Sequence, residues 1–224
     1  MNEANALNIE LTEAVKERRA AYSQDVTVFT DMYNEDTNIA IWQRDLPSEL
    51  EDVFEDFLDA KPTLKAVMTV TPESVSASIS ELLADTPGAD FLTEDISKLV
   101  DMFCYLFGLK RVGLRLTALT AAMCPRFHVD KVPCRLVTTY CGEATQWLPH
   151  NIIDRTKLGI PQTGTDLQSG LFSNNQDIQQ MTAGDVALLK GEVWQGNENA
   201  GLVHRSPALK AGQRRLLLTL DFSS

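Results

Sequence analysis

Glycine is missing from the first 87 residues of this chain, and all 12 glycines fall between Gly88 and Gly212. A stretch without glycine has few sites for turns that need a positive φ, so a helix-rich first part and a turn-rich second part are expected. Positive charge is also scarce early on. Residues 1–110 hold 8 Lys and Arg against 22 Asp and Glu, a balance of −14, whereas residues 111–224 hold 12 against 9, a balance of +3. A net charge of −11 with no basic stripe makes nucleic acid a poor partner, because such binding rests on neutralising phosphates. No apolar run is long enough to cross a bilayer. The start, Met1 to Asn5, is polar and acidic, so neither a secretory signal nor a membrane partner is expected. The four cysteines, Cys104, Cys124, Cys134 and Cys141, form no CxxC pair. Reduced, mostly buried thiols and a cytoplasmic setting are expected, and the spacing of Cys124, Cys134 and Cys141 fits no common zinc pattern.

Histidine is nearly as rare, with three in the chain, and two of them carry the most informative pattern. His128 and Asp130 stand one residue apart in Arg126-Phe127-His128-Val129-Asp130, and His204 comes much later, before the C-terminal strand. On an extended backbone residues i and i+2 point the same way, so His128 and Asp130 can grip one ion together. A distant strand can bring His204 beside them. Two imidazoles and a carboxylate on one face of an octahedral metal leave three positions open, which suits non-haem Fe(II) and oxygen chemistry. Singly, each residue has a bland reading: His204 as a core histidine, Asp130 as a turn residue or half of a surface ion pair.

The surroundings sharpen the pattern. Arg214 and Arg215 lie ten and eleven residues after His204, opening the run Arg214-Arg215-Leu216-Leu217-Leu218-Thr219-Leu220. Gly184-Asp185-Val186-Ala187-Leu188-Leu189-Lys190-Gly191, some twenty residues before His204, reads as a strand between turn glycines. With these residues in place, residues 111–224 resemble the Fe(II)- and 2-oxoglutarate-dependent dioxygenases. A closer resemblance, through CPRFHVDKVPCRLVTTYCGEATQWLP at residues 124–149, is to a bacterial family of unknown function. The first resemblance implies a double-stranded β-helix (jelly-roll or cupin-like) in an α+β fold. It implies Fe(II) on His128, Asp130 and His204, with 2-oxoglutarate as cosubstrate chelating that iron. A carboxylate ligand at 130 implies hydroxylation or oxidative demethylation rather than halogenation. An arginine fork would hold the far carboxylate of 2-oxoglutarate. Arg214 shares its face with Leu216, Leu218 and Leu220, so alternation favours it over Arg215, and both stay open. Tyr140 or Thr138 is a candidate hydrogen-bond donor to the cosubstrate. Two departures concern the substrate side: the strand after the first turn lacks the paired glycines of many dioxygenases, and Lys131 follows the metal loop.

For organisation, residues 1–110 are expected to form a helix-rich part packed on one sheet of the β-helix of residues 111–224, the two making one compact unit. A helix is expected over 8–22 and short strands at Val26–Phe29 and Ile39–Trp42. Ser48-x-x-Glu51 reads as a capping box before an amphipathic helix carrying Leu50, Val53, Phe54, Phe57 and Leu58. Further helices are expected after Thr71-Pro72 and from Thr93 to Phe107, the latter stopped by Gly108. Strands follow at Val112–Leu119, Leu136–Tyr140, Val186–Leu189, Leu202–His204 and Leu216–Phe222. Residues 150–180, polar and rich in Gln, Asn, Gly and Thr, read as a long loop or lid. His150 reads as an exposed loop residue, and Trp147 and Trp194 as flanking the mouth of the site. The leading functional reading is an oxygenase acting on a small molecule or an amino-acid side chain. The alternatives are a non-catalytic zinc- or iron-handling protein of the same fold and a metal-free structural protein.

Overall fold

The computed structural model describes residues 17–159 and 166–223. Its centre is a seven-stranded mixed sheet assembled from both halves of the chain. The strands are β1 (Arg19–Ser23), β2 (Thr37–Trp42), β3 (Lys65–Val70), β4 (Val112–Leu119), β5 (Cys134–Cys141), β8 (Val186–Lys190) and β10 (Arg215–Phe222), in the order β1-β2-β8-β5-β10-β4-β3. β1 pairs in parallel with β2, and every other pairing in this sheet is antiparallel. A small antiparallel sheet holds β6 (Gln146–Trp147), β7 (Gln179–Gln180) and β9 (His204–Arg205), with β6 in the middle. The helices are α1 (Leu50–Ala60), α2 (Val75–Leu82) and α3 (Ala89–Phe107). No helix among the described residues is long and apolar enough to cross a membrane.

The large sheet separates two cores. One joins Phe54, Phe57 and Leu58 of α1, Val75 and Ile79 of α2, and Ile96, Leu99 and Phe103 of α3 to Leu114, Leu136, Leu188, Leu216, Leu218 and Leu220 of the sheet. Burying each such Leu or Phe contributes about 1.5–3 kcal/mol, so these helices are fixed by packing more than by intrinsic propensity. The other core joins Ile39, Ile41, Val137, Ala187, Leu189 and Leu217, on the opposite face, to Trp147 of the small sheet and to Leu202.

Several local expectations change. The helix expected over 8–22 falls mostly outside the described residues, and its last residues lie in β1, paired with β2. Val26–Tyr33 forms a 3-10 helix instead of a strand. Asp25 caps it by accepting from the Thr27 amide, and Val28, Phe29 and Met32 turn inward. α1 starts after Glu49 with no side-chain cap, because the Ser48 hydroxyl lies against the Glu49 carboxylate. β3 was not expected; it is an edge strand whose Val67 is exposed. Residues 150–180 are less loose than a polar loop implies. Three short 3-10 turns punctuate them, and Leu171 and Phe172 pack with Phe127, Leu148 and Val203 in a third apolar cluster.

Candidate metal centre

His128 and His204 face each other across an isolated antiparallel bridge. Each backbone amide donates to the other's carbonyl at 3.0 Å, which sets the two rings side by side with centroids 4.6 Å apart. The Nδ1 atom of His128 lies 3.0 Å from the carbonyl of Arg126, and that of His204 lies 3.3 Å from the carbonyl of Leu202. A carbonyl can only accept, so in the neutral ring each contact places the proton on Nδ1 and leaves Nε2 as the atom free to bind a metal. Both Nε2 atoms point at Asp130, at 3.6 Å from Oδ1 for His128 and 3.4 Å from Oδ2 for His204. One donor atom from each of the three residues lies within 4.8 Å of the others. It is the one group of three or more such side chains among the described residues poised to hold a metal.

Asp130 is anchored from behind. Arg135 Nη1 donates to Asp130 Oδ2 at 2.7 Å, while Arg135 Nε and Nη2 donate to the two oxygens of Asp221 at 2.7 and 2.9 Å. Arg115 completes the chain, donating to Asp221 Oδ2 at 2.8 Å. Burial acts to raise the pKa of Asp130, but hydrogen bonds with both histidines and the charge of Arg135 outweigh it and hold the carboxyl well below its usual range. His128 is raised, chiefly by its bond to Asp130. The loop itself depends on Gly191, where a Cβ would fall 1.9 Å from the carbonyl oxygen of Val132 and 2.9 Å from that of Asp130. Only glycine lets the end of β8 pass so close under the Asp130–Val132 backbone.

The two arginines on β10 part company. Arg215 is 1% exposed and turns to the side of the sheet occupied by Leu217 and Thr139. It donates to the hydroxyls of Thr139 (3.2 and 2.9 Å), Ser206 (2.9 Å) and Thr145 (2.8 Å). No carboxylate pairs with it among the described residues, and burial lowers its pKa to about 10. Ser206 stands two residues beyond His204, so β9 and its continuation link the arginine to the triad. Arg214 points to the helix side and pairs with Glu55 and Asp59 of α1. Alternation had favoured Arg214, but the apolar face of β10 that it shares looks toward the helices, and Arg215 is the one on the side of Thr139 and Ser206.

Tyr140 goes the same way. It packs in the helix-side core, and its hydroxyl donates to Asp95 of α3 at 2.8 Å. Burial pushes its pKa well up, and Arg44 closes the group by donating to both Asp95 oxygens at 2.5 and 2.8 Å. Thr138, on the same face, is buried and its hydroxyl lacks a partner among the described residues. Tyr140 therefore faces the helices, whereas the hydroxyl of its neighbour Thr139 accepts from Arg215. His150 is buried rather than exposed, with Arg155 Nη2 3.3 Å from its Nδ1. Trp147 lies in the second core, opposite His204 in register. Trp194 packs against Tyr33 and Phe107, beneath the Lys190 ammonium. Of the cysteines, Cys104 and Cys134 are buried and Cys124 is exposed, all as free thiols.

Arg135 and Ser206 were not foreseen. Arg135 carried a signal, being a charged residue between Cys134 and Leu136 on a strand and five positions after Asp130. Ser206 carried none beyond its i+2 offset from His204.

Residues 23–221 match a family model described as "Protein of unknown function (DUF1826)". No curated protein matches the chain. Among solved structures, the chain is similar to a dioxygenase for auxin oxidation from rice, at 12% identity over 92% of this chain and 82% of that one, with a TM-score of 0.48. It is similar to the Arabidopsis thaliana dioxygenase for auxin oxidation 1 in complex with 2-oxoglutarate, at 10% identity over 91% of each chain, with a TM-score of 0.46. It is also similar to a Pseudomonas putida prolyl-4-hydroxylase, at 12% identity over 88% of this chain and 96% of that one, with a TM-score of 0.42. Likeness of this degree assigns no activity.

Proposed function

The chain belongs to the family described as "Protein of unknown function (DUF1826)", and we propose that it is an Fe(II)- and 2-oxoglutarate-dependent oxygenase of the hydroxylase type. Its two sheets would be the halves of a double-stranded β-helix, residues 111–224 carrying the site and residues 1–110 adding β1, β2 and β3 to the large sheet and the helices that buttress it. The observation that carries the proposal is the convergence of two imidazole Nε2 atoms, each ring fixed through Nδ1 against a backbone carbonyl, with an Asp130 carboxylate oxygen.

The donor set fits the ion. Two neutral imidazoles and one carboxylate from a bridge and its adjoining loop form a facial group with open positions, the set used by non-haem iron. When bound, Fe(II) with 2-oxoglutarate supplies the activation of O₂ and the oxidising power for the substrate.

What the chain contributes can be derived residue by residue. His128 and His204 present Nε2 because their Nδ1 protons are spent on backbone carbonyls. Asp130 offers Oδ1 while Arg135 engages Oδ2, which favours one-oxygen ligation and leaves room for a chelating cosubstrate. Arg215 is a buried cation with no counter-charge among the described residues, held in a fixed orientation by the hydroxyls of Thr139, Ser206 and Thr145, with one Nη1 N–H left to donate. Such a group is costly until an anion arrives, so it is the residue assigned to the far carboxylate of 2-oxoglutarate. The substrate is a small molecule or an amino-acid side chain.

The experiment is aerobic incubation of the Fe(II)-reconstituted protein with 2-oxoglutarate, following succinate release with and without candidate substrates. Succinate formed by the wild type and abolished by His204→Ala supports the oxygenase. Tight iron binding with no succinate under any condition would leave a metal-handling protein.

A further inference from the structure

We infer that the cavity beside His128 takes the substrate as a free zwitterion of the amino-acid class, its carboxylate on Arg155 and its ammonium on Glu192. The inference rests on the oxygenase reading only for what then happens to the ligand.

The cavity has a volume of about 340 Å³ and is lined by His128, Lys131, Arg155, Leu158, Glu192 and Asn199 among others. That size suits one small ligand. A metal donor forms part of its wall, so whatever fills it lies next to the triad. The segment after His150, read from sequence as a loop or lid, supplies the opposite wall through Arg155 and Leu158.

Arg155 is the unusual member. Its Nη2 donates to the carbonyl of Gly201 and lies 3.3 Å from His150 Nδ1, which fixes the plane of the guanidinium. Its Nε is buried and has no acceptor among the described residues. A guanidinium desolvated in this way, and not paired with any carboxylate among the described residues, is disfavoured until a ligand oxygen meets it. Lys131, exposed at the rim, adds a second positive charge.

Glu192 sets the other half of the code. Its Oε1 accepts from the Asn199 amide at 2.6 Å. Its Oε2 lies 3.0 Å from where a Cβ on Gly201 would sit, the residue whose carbonyl Arg155 holds. Glu192 is close enough to stabilise the charge on Arg155, yet the two form no ion pair among the described residues. Two opposite charges share one cavity without direct contact among the described residues. A plain anion would be repelled by Glu192 and a plain cation by Arg155 and Lys131, whereas a zwitterion satisfies both ends. Val129 and Leu158 offer apolar wall for an aliphatic side chain.

The test is calorimetric titration of the Co(II)-loaded protein with the proteinogenic L-amino acids, and with the decarboxylated amine and desamino acid of each one that binds. The expected result is at least one amino acid whose two analogues bind tenfold or more weakly. Arg155→Gln should bring that amino acid down to the level of its amine, Arg155→Lys should recover part of the loss, and Glu192→Gln should bring it down to the level of its desamino acid. Co(II) affinity should stay within twofold throughout. Absence of binding by every amino acid, or analogues within tenfold of the parent, would overturn the inference. Because the analogue comparison uses the wild type, it decides the matter even where Arg155→Gln fails to fold. Failure to bind Co(II) would sink the oxygenase reading instead. The same titrations on metal-free protein would still judge the cavity, since neither Arg155 nor Glu192 is assigned to the ion.

Discussion

On β10, Leu216, Leu218 and Leu220 face three helices, while Arg215, Leu217 and Asp221 face the small sheet and the metal loop. The first face is almost hydrocarbon, interrupted by the Arg44–Asp95–Tyr140 group, in which charge is matched by charge. The second carries Arg215 unmatched and a chain of ionic contacts running from Arg115 through Asp221 and Arg135 to Asp130. One strand thus serves stability with alternate residues and chemistry with the rest. The apolar face is where the fold is held, and the residue that interrupts the other face is the one to which the proposed function gives a ligand.

The comparison breaks most sharply at the triad. His128→Ala removes a donor without touching the helix side, so metal affinity should fall by more than about a hundredfold, beyond the usual cost of losing an outer partner. Equilibrium dialysis with Co(II) or Zn(II) would show it, with urea unfolding of the metal-free protein little changed. Leu218→Ala should do the reverse. A large-to-small change in a packed core costs about 2–5 kcal/mol of stability, measurable by urea denaturation, while metal affinity of the folded protein stays put.

Lys190 sharpens the comparison from the rim of the helix side. Its ammonium is buried over Trp194, donates to the Asn34 carbonyl at 2.9 Å, and burial lowers its pKa to about 8. Its unfolded value is about 10.5. Between those two pH values the unfolded chain binds more protons than the folded one, so stability should rise as pH rises from about 8 to 10.5. Lys190→Met should flatten that rise in thermal melts taken across the range. The smallest effect belongs to Arg214→Met. Its ion pairs with the exposed Glu55 and Asp59 are of the surface kind, so the loss should stay under about 1 kcal/mol in urea unfolding.

How much of this was legible in the sequence divides along the same line. The triad was, because histidine is rare here and the i, i+2 rule needs no knowledge of the fold. The strands at Val112–Leu119 and Val186–Leu189 and the helix ending at Gly108 were, because their apolar patterns are long and their stops explicit. β1 was hidden because Arg19-Ala20-Ala21 suits a helix locally, and only its parallel pairing with β2 makes it a strand. Val26–Phe29 misled because β-branched residues favour strands in general, whereas the Asp25 cap and the inward turn of Val28, Phe29 and Met32 decide the matter here. Which way Arg214 and Arg215 turn was not legible, for a deeper reason. Alternation says which residues share a face but not which of two cores that face meets. The turn of Tyr140 toward Asp95 was hidden by the same ambiguity, and Arg155 gave no sign, since its neighbours come from Gly201 and His150, distant or unremarkable in sequence.

The most direct measurement is an anaerobic titration of Fe(II)-loaded protein with 2-oxoglutarate, watched for the weak visible charge-transfer band of the chelate. The band should form in the wild type and in Arg214→Met. In Arg215→Met it should need at least about thirtyfold more 2-oxoglutarate, as expected for removing one partner of a buried charged contact. A band that forms equally well in Arg215→Met, or none in the wild type despite bound iron, would contradict the account.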